Sequence, residues 1–382
     1  MSKLKNNLAL LHLSACPFFG PRKIKLLEKS FHPLSDIFLA SSRRLATAGL
    51  RFGDIENFLS WQKNFSLAHL QESLVKNGVN FVSWHDDDYP SLLLEIVDPP
   101  PILFYRGNLA LASIKNYKFL AVIGSRLPSS YAARVLEELL PPLTSRIIIV
   151  SGLASGVDSL AHKQALATKG STIAVLGSGL SWNKIYPRSN LSLAKMIVEE
   201  NGLLLSEFLP DYPPRKENFP RRNRLISGLS QAVLIIEARK KSGSLITARH
   251  ALEQGRDVWV VPGNIFLESS SGTNRLLQQG SWPILSAADI IQAFDLESEL
   301  YLHDKKQILK TKTKIYQKYQ PKNQIENELF SLITKAYQSG KRINAEEIAR
   351  LSSLDTSLIN STLTILTLAE AILEKDGCFE PA

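Results

Sequence analysis

Phe119-Leu-Ala-Val-Ile-Gly-Ser-Arg126 and, further on, Ile147-Ile-Ile-Val-Ser-Gly-Leu-Ala-Ser-Gly156 decide the fold. Each opens as an unbroken apolar run, too short for a buried helix, and then breaks into glycine and serine. Between them Tyr131 to Leu140 has the length of a helix. Strands buried on both faces read as continuous apolar runs, and a helix joining two of them makes the pair parallel. The same grammar extends in both directions. Val79 to Trp84 and Ile102 to Tyr105 precede it, and Thr172 to Leu176, Leu203 to Leu205, Ala232 to Ile236 and Val258 to Val261 follow. Helix-length segments at Ser159 to Ala167, Leu191 to Glu200 and Leu245 to Gln254 separate most of the later strands. The expected fold class is α/β, with an extended Rossmann-like parallel sheet as its core.

At 382 residues the chain exceeds one ordinary core, so several domains are expected. Residues 1–75 predict short helices around Pro17-Phe-Phe-Gly-Pro-Arg-Lys23. They suggest a small helical domain, either a plain cap or half of a helix-hairpin-helix lacking its second glycine. Residues 76–295 are expected to form the Rossmann-like domain. Residues 296–324, with Lys305, Lys306, Lys310, Lys312, Lys314 and Lys318, predict a linker. Residues 325–382 predict a helix (Glu328 to Tyr337), then the segment Ala345 to Leu351, a turn at Ser352 to Asp355, a second helix from Thr356 and a small wing, a winged-helix-like pattern. No apolar stretch approaches the roughly 20 residues needed to span a bilayer. No signal-peptide core is evident, and the two cysteines, Cys16 and Cys378, form no disulfide or metal spacing. A cytoplasmic protein without a membrane partner is expected. The formal charge of +9 favours a polyanionic partner.

Ligands of open parallel sheets meet the carboxyl ends of the strands. Most such ends here carry small residues: Gly124, Ser125 and Arg126; Ser151 and Gly152 through Gly156; Gly177 and Gly179; Ser242, Gly243 and Ser244, with Thr247 one turn on; and Pro262-Gly-Asn264. Glycine admits close backbone approach, and a helix starting just afterwards aims free N–H groups at an anion. The dinucleotide fingerprint fails because Trp182 takes the third glycine position, and no loop ends in the Gly-Lys-Ser/Thr of a nucleotide-triphosphate site. No cofactor is therefore expected. Arg126 either grips phosphate or pairs with Glu207 or Glu237. Lys216, Asn218, Phe219, Arg221, Arg222, Asn223 and Arg224 crowd one helix start, where cations oppose the macrodipole. A ring among guanidinium groups suits an unpaired base beside phosphates. Arg239, Lys240 and Lys241 extend the basic rim.

A catalytic set is not visible. Asp158 and His162 share one helix face, where Asp158 is expected to cap the helix and His162 to pack. The serines lack a His/Asp set and a nucleophile elbow. The seven histidines show no metal-ligand spacing.

Tyr89-Pro-Ser-Leu-Leu, Pro100-Pro-Ile-Leu-Phe-Tyr-Arg-Gly107, Ala121-Val-Ile-Gly-Ser-Arg126 and Val150-Ser-Gly-Leu-Ala-Ser-Gly-Val-Asp158 form an ordered series. Asn218-Phe-Pro-Arg-Arg-Asn-Arg-Leu-Ile-Ser-Gly-Leu-Ser230, Ser242-Gly-Ser-Leu-Ile-Thr-Ala248 and Gly272-Thr-Asn-Arg-Leu-Leu277 continue it. Together they resemble the DNA processing protein A (DprA/Smf) family over roughly residues 80 to 285. The resemblance implies a non-enzymatic, homodimeric protein. It would bind single-stranded DNA and load a RecA-type recombinase during natural transformation. It also gives Arg126, Lys216, Phe219 and the Arg221 to Arg224 group DNA-contact roles, with the glycine–serine loops beside them. The chain departs from the family at Ser155, where a basic residue is common, and at Gly280-Ser-Trp-Pro283. The helix expected from Thr356 to Glu370 contains no Lys or Arg, unlike a groove-reading helix. A nucleotide-acting Rossmann enzyme, phosphoribohydrolase-like, is the alternative. Its Pro-Gly-Gly-x-Gly-Thr motif is not matched, because Pro262-Gly263 and Gly272-Thr273 stand apart.

Overall fold

The structure, a computed structural model, describes residues 2–296, 321, 323–338, 342–352, 354–369, 371–375 and 377–381. The lysine-rich run Lys305 to Lys318 lies outside the described residues. The chain forms two compact units, Met1–Phe294 and Asp295–Ala382.

The first unit is built on a nine-stranded sheet. In chain order its strands are β1 (Asn80–Ser83), β2 (Ile102–Gly107), β3 (Lys118–Ile123), β4 (Ile147–Ser151), β5 (Thr172–Val175), β6 (Leu203–Ser206), β7 (Ala232–Ile235), β8 (Asp257–Val260) and β9 (Trp282–Pro283). Their spatial order is β1-β2-β6-β5-β4-β3-β7-β8-β9. From β6 to β9 every neighbouring pair is parallel, whereas β2 runs antiparallel to β6 and β1 antiparallel to β2. Apolar runs report burial and not direction, so the reversed edge is not legible in them. The two-residue β9 is too short to carry a pattern.

The chain builds outward from β3 through β4 and β5 to β6, then crosses back to place β7 on the other side of β3. The crevice above the carboxyl ends of β3 and β7 is thus the topological switch point of the sheet. Ala121 pairs across to both Val150 and Val233, and Ile123 to Ile235, which holds the three loops level.

Alternation along each strand divides the core. Ile102, Phe104, Ala174 and Leu204 face one apolar cluster, while Leu103, Ile173, Val175, Leu203 and Leu205 face another. The first cluster is continuous with the N-terminal helices α1 (Ser2–Ser14), α2 (Pro21–Glu28), α3 (Ser42–Thr47), α4 (Phe52–Asn64) and α5 (Leu67–Asn77), through Leu10, Leu27 and Phe58. The second receives Leu225, Ile226 and Leu229 from the helix before β7. Each such buried side chain is worth about 1.5–3 kcal/mol. The helices that follow are α6 (Ser91–Leu94), α7 (Ser130–Leu139), α8 (Val157–Ala167), α9 (Leu191–Glu199), α10 (Asn218–Gly228), α11 (Ser244–Glu253), α12 (Ser271–Gln278) and α13 (Ala287–Ala293). Among the described residues no helix is long and apolar enough to cross a membrane.

The second unit has helices Gln324–Gln338, Ala345–Leu351 and Thr356–Leu368, with an antiparallel sheet ordered β10 (Ile343–Asn344), β12 (Cys378–Pro381), β11 (Ile372–Lys375). Leu329, Ile333, Ile348, Ile359, Leu363, Ile372 and Phe379 form its own core. A reciprocal cap between Asn344 and Glu347 starts its second helix.

Candidate nucleic-acid interface

At the switch point the first turns of α10 and α11 and the loop after β3 enclose a cleft of about 480 Å³. Gly124, Arg126, Ala154, Asp158, Tyr186, Lys216, Phe219, Pro220, Arg222, Asn223, Ser242, Gly243, Ser244 and Thr247 line it. Both helices present their N-terminal ends, where unpaired N–H groups and the positive end of the dipole favour an anion. The loops are fastened to each other. The Ser244 hydroxyl donates to the Gly124 carbonyl at 2.9 Å, and buried Glu237 accepts from the Ser129 amide at 3.0 Å. A larger cleft of about 550 Å³ lies among β8, β9 and α12. Arg256, Asp257 and Asp289 all line it, and no excess of cations converges there.

The floor of the first cleft is a buried charge pair. An Asp158 carboxylate oxygen accepts from the amides of Gly152 at 3.1 Å and Ala154 at 3.4 Å. It therefore shapes the loop after β4 and does not cap α8, because the capping geometry is absent there. Arg222 donates to the Gly152 carbonyl at 2.6 Å and to the Val175 carbonyl. Burial is the largest influence on both charges. It pushes the Asp158 carboxyl above its ordinary range and lowers Arg222 to about 10, while their mutual attraction opposes each shift. Glycine at 152 leaves the room Arg222 needs, since a Cβ there would lie 2.6 Å from its guanidinium nitrogen. At Gly177 an added Cβ would lie 2.9 Å from the Phe219 ring, and Asn218 donates to the Gly177 carbonyl at 3.2 Å. These two glycines make room for protein groups, not for a ligand.

The arginine cluster divides into separate environments. Arg224 is buried between Glu207, at 2.6 Å, and Asp98, at 3.2 Å. Arg221 is half exposed and shares Glu207 at 3.2 Å. Arg222 lies inside as described. Acidic and carbonyl partners thus offset the unfavourable placement of cations at a helix start. With Glu207 and Glu237 occupied elsewhere, Arg126 pairs with neither. It is exposed and makes no ion pair with a described residue; its guanidinium carbon lies 5.7 Å from the Phe219 ring centroid. The partly buried Phe219 ring in turn lies 5.5 Å from that of Tyr186, itself 46% exposed. Lys216 is exposed at the cleft mouth. The open part of the site is therefore two cations beside two adjoining rings.

The family model for DNA recombination-mediator protein A matches residues 80–295. The chain belongs to this family. It is 43% identical over 218 residues to the DNA processing protein DprA of Bacillus subtilis (strain 168), covering 57% of this chain and 72% of that one. To the protein Smf of Escherichia coli (strain K12) it is 42% identical over 253 residues, 65% of each chain. The X-ray structure of the Streptococcus pneumoniae DNA processing protein A superposes with a TM-score of 0.65 at 35% identity, covering 75% of this chain and 97% of that one. The DNA processing protein A of Helicobacter pylori, described for its single-stranded DNA binding mode, matches with a TM-score of 0.50 at 33% identity. That match covers 56% of this chain and 95% of the relative.

Within the family match, Gly124, Arg126, Lys216, Phe219, Asn223, Ser242, Gly243, Ser244 and Thr247 meet in the one cleft. Ser125, Ser151, Gly152, Gly156 and Asn218 stand behind it in the loops that shape it. Ser151 donates to the Val122 carbonyl at 2.6 Å, and Ser125 closes a turn onto Leu127. Arg221 and Arg224 face the Glu207 side. Sequence reasoning missed Tyr186 as a site residue. Its signal is present, because Tyr186-Pro187 lies within the family's matched span, but only folding brings it beside Phe219.

Proposed function

We propose that the cleft holds a single strand of DNA and that the protein is a recombination mediator. In this reading Arg126 and Lys216 contact phosphates, the N-terminal ends of α10 and α11 add neutral donors, and Phe219 with Tyr186 stacks an unpaired base. The observation that carries it is the exposed Arg126 over Phe219, a cation held against a ring at the mouth of the switch-point crevice. The strand-binding Helicobacter pylori relative supports the same reading. Stacking favours single strands because duplex bases already stack on each other, and it is worth about 1–3 kcal/mol per base.

The physiological role we infer is protection of incoming DNA and its delivery to a RecA-type recombinase during natural transformation, by a homodimer in the cytoplasm. The second unit, winged-helix-like, serves protein contact or regulation in this scheme, since Thr356–Leu368 offers no cation to a groove. Catalysis is left out: Asp158 and His162 are buried and engaged with the protein's own groups.

Titration of a labelled oligo-dT against matched duplex at several salt concentrations tests the proposal. Tighter binding of the single strand is expected, with affinity falling steeply as salt rises. Equal affinity for duplex rejects the site, and hydrolysis of AMP by the purified protein would restore the enzyme reading.

A further inference from the structure

The loop after β8 carries a feature that the cleft does not use. Ile265, Phe266 and Leu267 are consecutive and 80%, 89% and 50% exposed. Single exposed apolar residues are ordinary, but three in a row at a loop tip leave an unrelieved hydration cost. The loop is held in shape. Asn274 brackets Gly263 with two hydrogen bonds, at 3.2 and 3.0 Å, and the Asn264 side chain accepts from the Phe266 amide at 2.9 Å. Tyr131 donates to the Pro262 carbonyl at 2.9 Å, which ties the loop base to α7, the helix that follows the Arg126 loop.

Its neighbours are cationic. The adjacent loop, after β7, carries Arg239, Lys240 and Lys241, all exposed. Arg239 approaches Glu268 only at 3.9 Å, and the two lysines make no ion pair with a described residue. Because β3, β7 and β8 are consecutive and parallel, these loops share one edge of the sheet with the cleft. β8 stands two places from β3, about 10 Å across the sheet. A strand leaving the cleft over β7 would meet cations first and an exposed ring next.

We propose that Phe266 is a second base-stacking platform, and that Lys240 and Lys241 grip the phosphates between it and Phe219. The inference rests on the cleft being the single-strand site and adds a direction and a length to it. A ring flanked by unpaired cations suits a chain that alternates bases with phosphates, whereas a purely apolar partner would leave the lysines unmatched.

The test uses the full chain with two oligo-dT probes, one of about 5 nucleotides sized to the cleft and one of about 15 reaching beyond it. Phe266→Ala should weaken the longer probe about five-fold or more and leave the shorter one unchanged. Lys240→Ala with Lys241→Ala should flatten the salt dependence for the longer probe only. Phe219→Ala, run alongside, should weaken both. If Phe219→Ala acts and Phe266→Ala leaves the longer probe unaffected, the second platform is wrong and the cleft stands. If Phe219→Ala is silent with both probes, the cleft reading itself fails. A change of molecular mass in Phe266→Ala by light scattering would make the loop a protein contact and overturn the proposal.

Discussion

The guanidinium of Arg222 occupies the space that a side chain at Gly152 would need, donating to its carbonyl at 2.6 Å. This arginine belongs to the architecture of the cleft and not to its open surface. Replacing it with methionine strands the Asp158 carboxylate in the interior without its compensating charge. Such a break costs about 3–5 kcal/mol. Urea denaturation of Arg222→Met should show a drop of that size, and Gly152→Ala should destabilise as well by displacing the guanidinium. Stability equal to wild type in both variants would show that the buried pair does not hold the loop.

Arg126 and Phe219 touch, yet they should fail differently. Arg126→Ala removes one cation from the phosphate backbone, so the salt slope for a single strand should become shallower by about 0.7. Phe219→Ala removes stacking, so affinity should drop about ten-fold at every salt concentration while the slope stays. Arg126 is exposed and Phe219 is only partly buried at the cleft, so both variants should remain folded, which urea denaturation alongside the titration checks. Indifference of oligonucleotide affinity to both would remove the site assignment.

Arg224 tests the opposite expectation. Its partners are Glu207 and Asp98, and it lies away from the cleft lining. Arg224→Ala should lower stability by about 3–5 kcal/mol, with little change in oligonucleotide affinity for the protein that remains folded. A large fall in affinity at unchanged stability would return it to the interface.

The contrast among these arginines shows where sequence reading runs out. Seven of the eight expected strands are legible because a strand covered on both faces is a continuous apolar run, and most of their carboxyl-end loops announce themselves through glycine and serine; the edge strand β1, with Asn80 exposed, shows only a β-rich composition. Side-chain direction is not legible in the same way. Arg221, Arg222 and Arg224 look alike in sequence, but the turn of α10 sends one toward Gly152, one between Glu207 and Asp98, and leaves one half exposed. Likewise glycine at 152 and 177 signals tight space without saying what fills it, and here a guanidinium and a ring fill it.

Removing residues 320–382 should leave oligonucleotide affinity unchanged. The first unit has its own sheet and core, and the third helix of the second unit, Thr356–Leu368, carries no Lys or Arg. A sharp fall in affinity, measured with the same long probe, would give the second unit a direct part in binding DNA.

His162 predicts a pH dependence of stability. Its ring sits in the interior with Nδ1 2.7 Å from the Thr172 hydroxyl. That hydroxyl donates its proton to the Ile149 carbonyl at 2.8 Å, so the ring must donate from Nδ1 and is neutral at Nε2. Burial, reinforced by the charge of Arg222, pushes His162 down from 6.5 to about 3. Between those values the unfolded chain takes up a proton that the folded chain refuses. The stabilising contribution is complete above the ordinary histidine range and is lost as pH falls, at about 1.4 kcal/mol per pH unit. Asp158, raised by burial, acts in the opposite sense: its folded form gains relative stability as acid protonates it. The difference between wild type and His162→Asn isolates the histidine, because asparagine keeps a donor for Thr172 but cannot titrate. Denaturation curves from pH 7 to pH 4 should show the variant losing about one proton's worth of slope. Parallel curves would mean that His162 is protonated in the folded protein, and the neutral, buried ring would have to be abandoned.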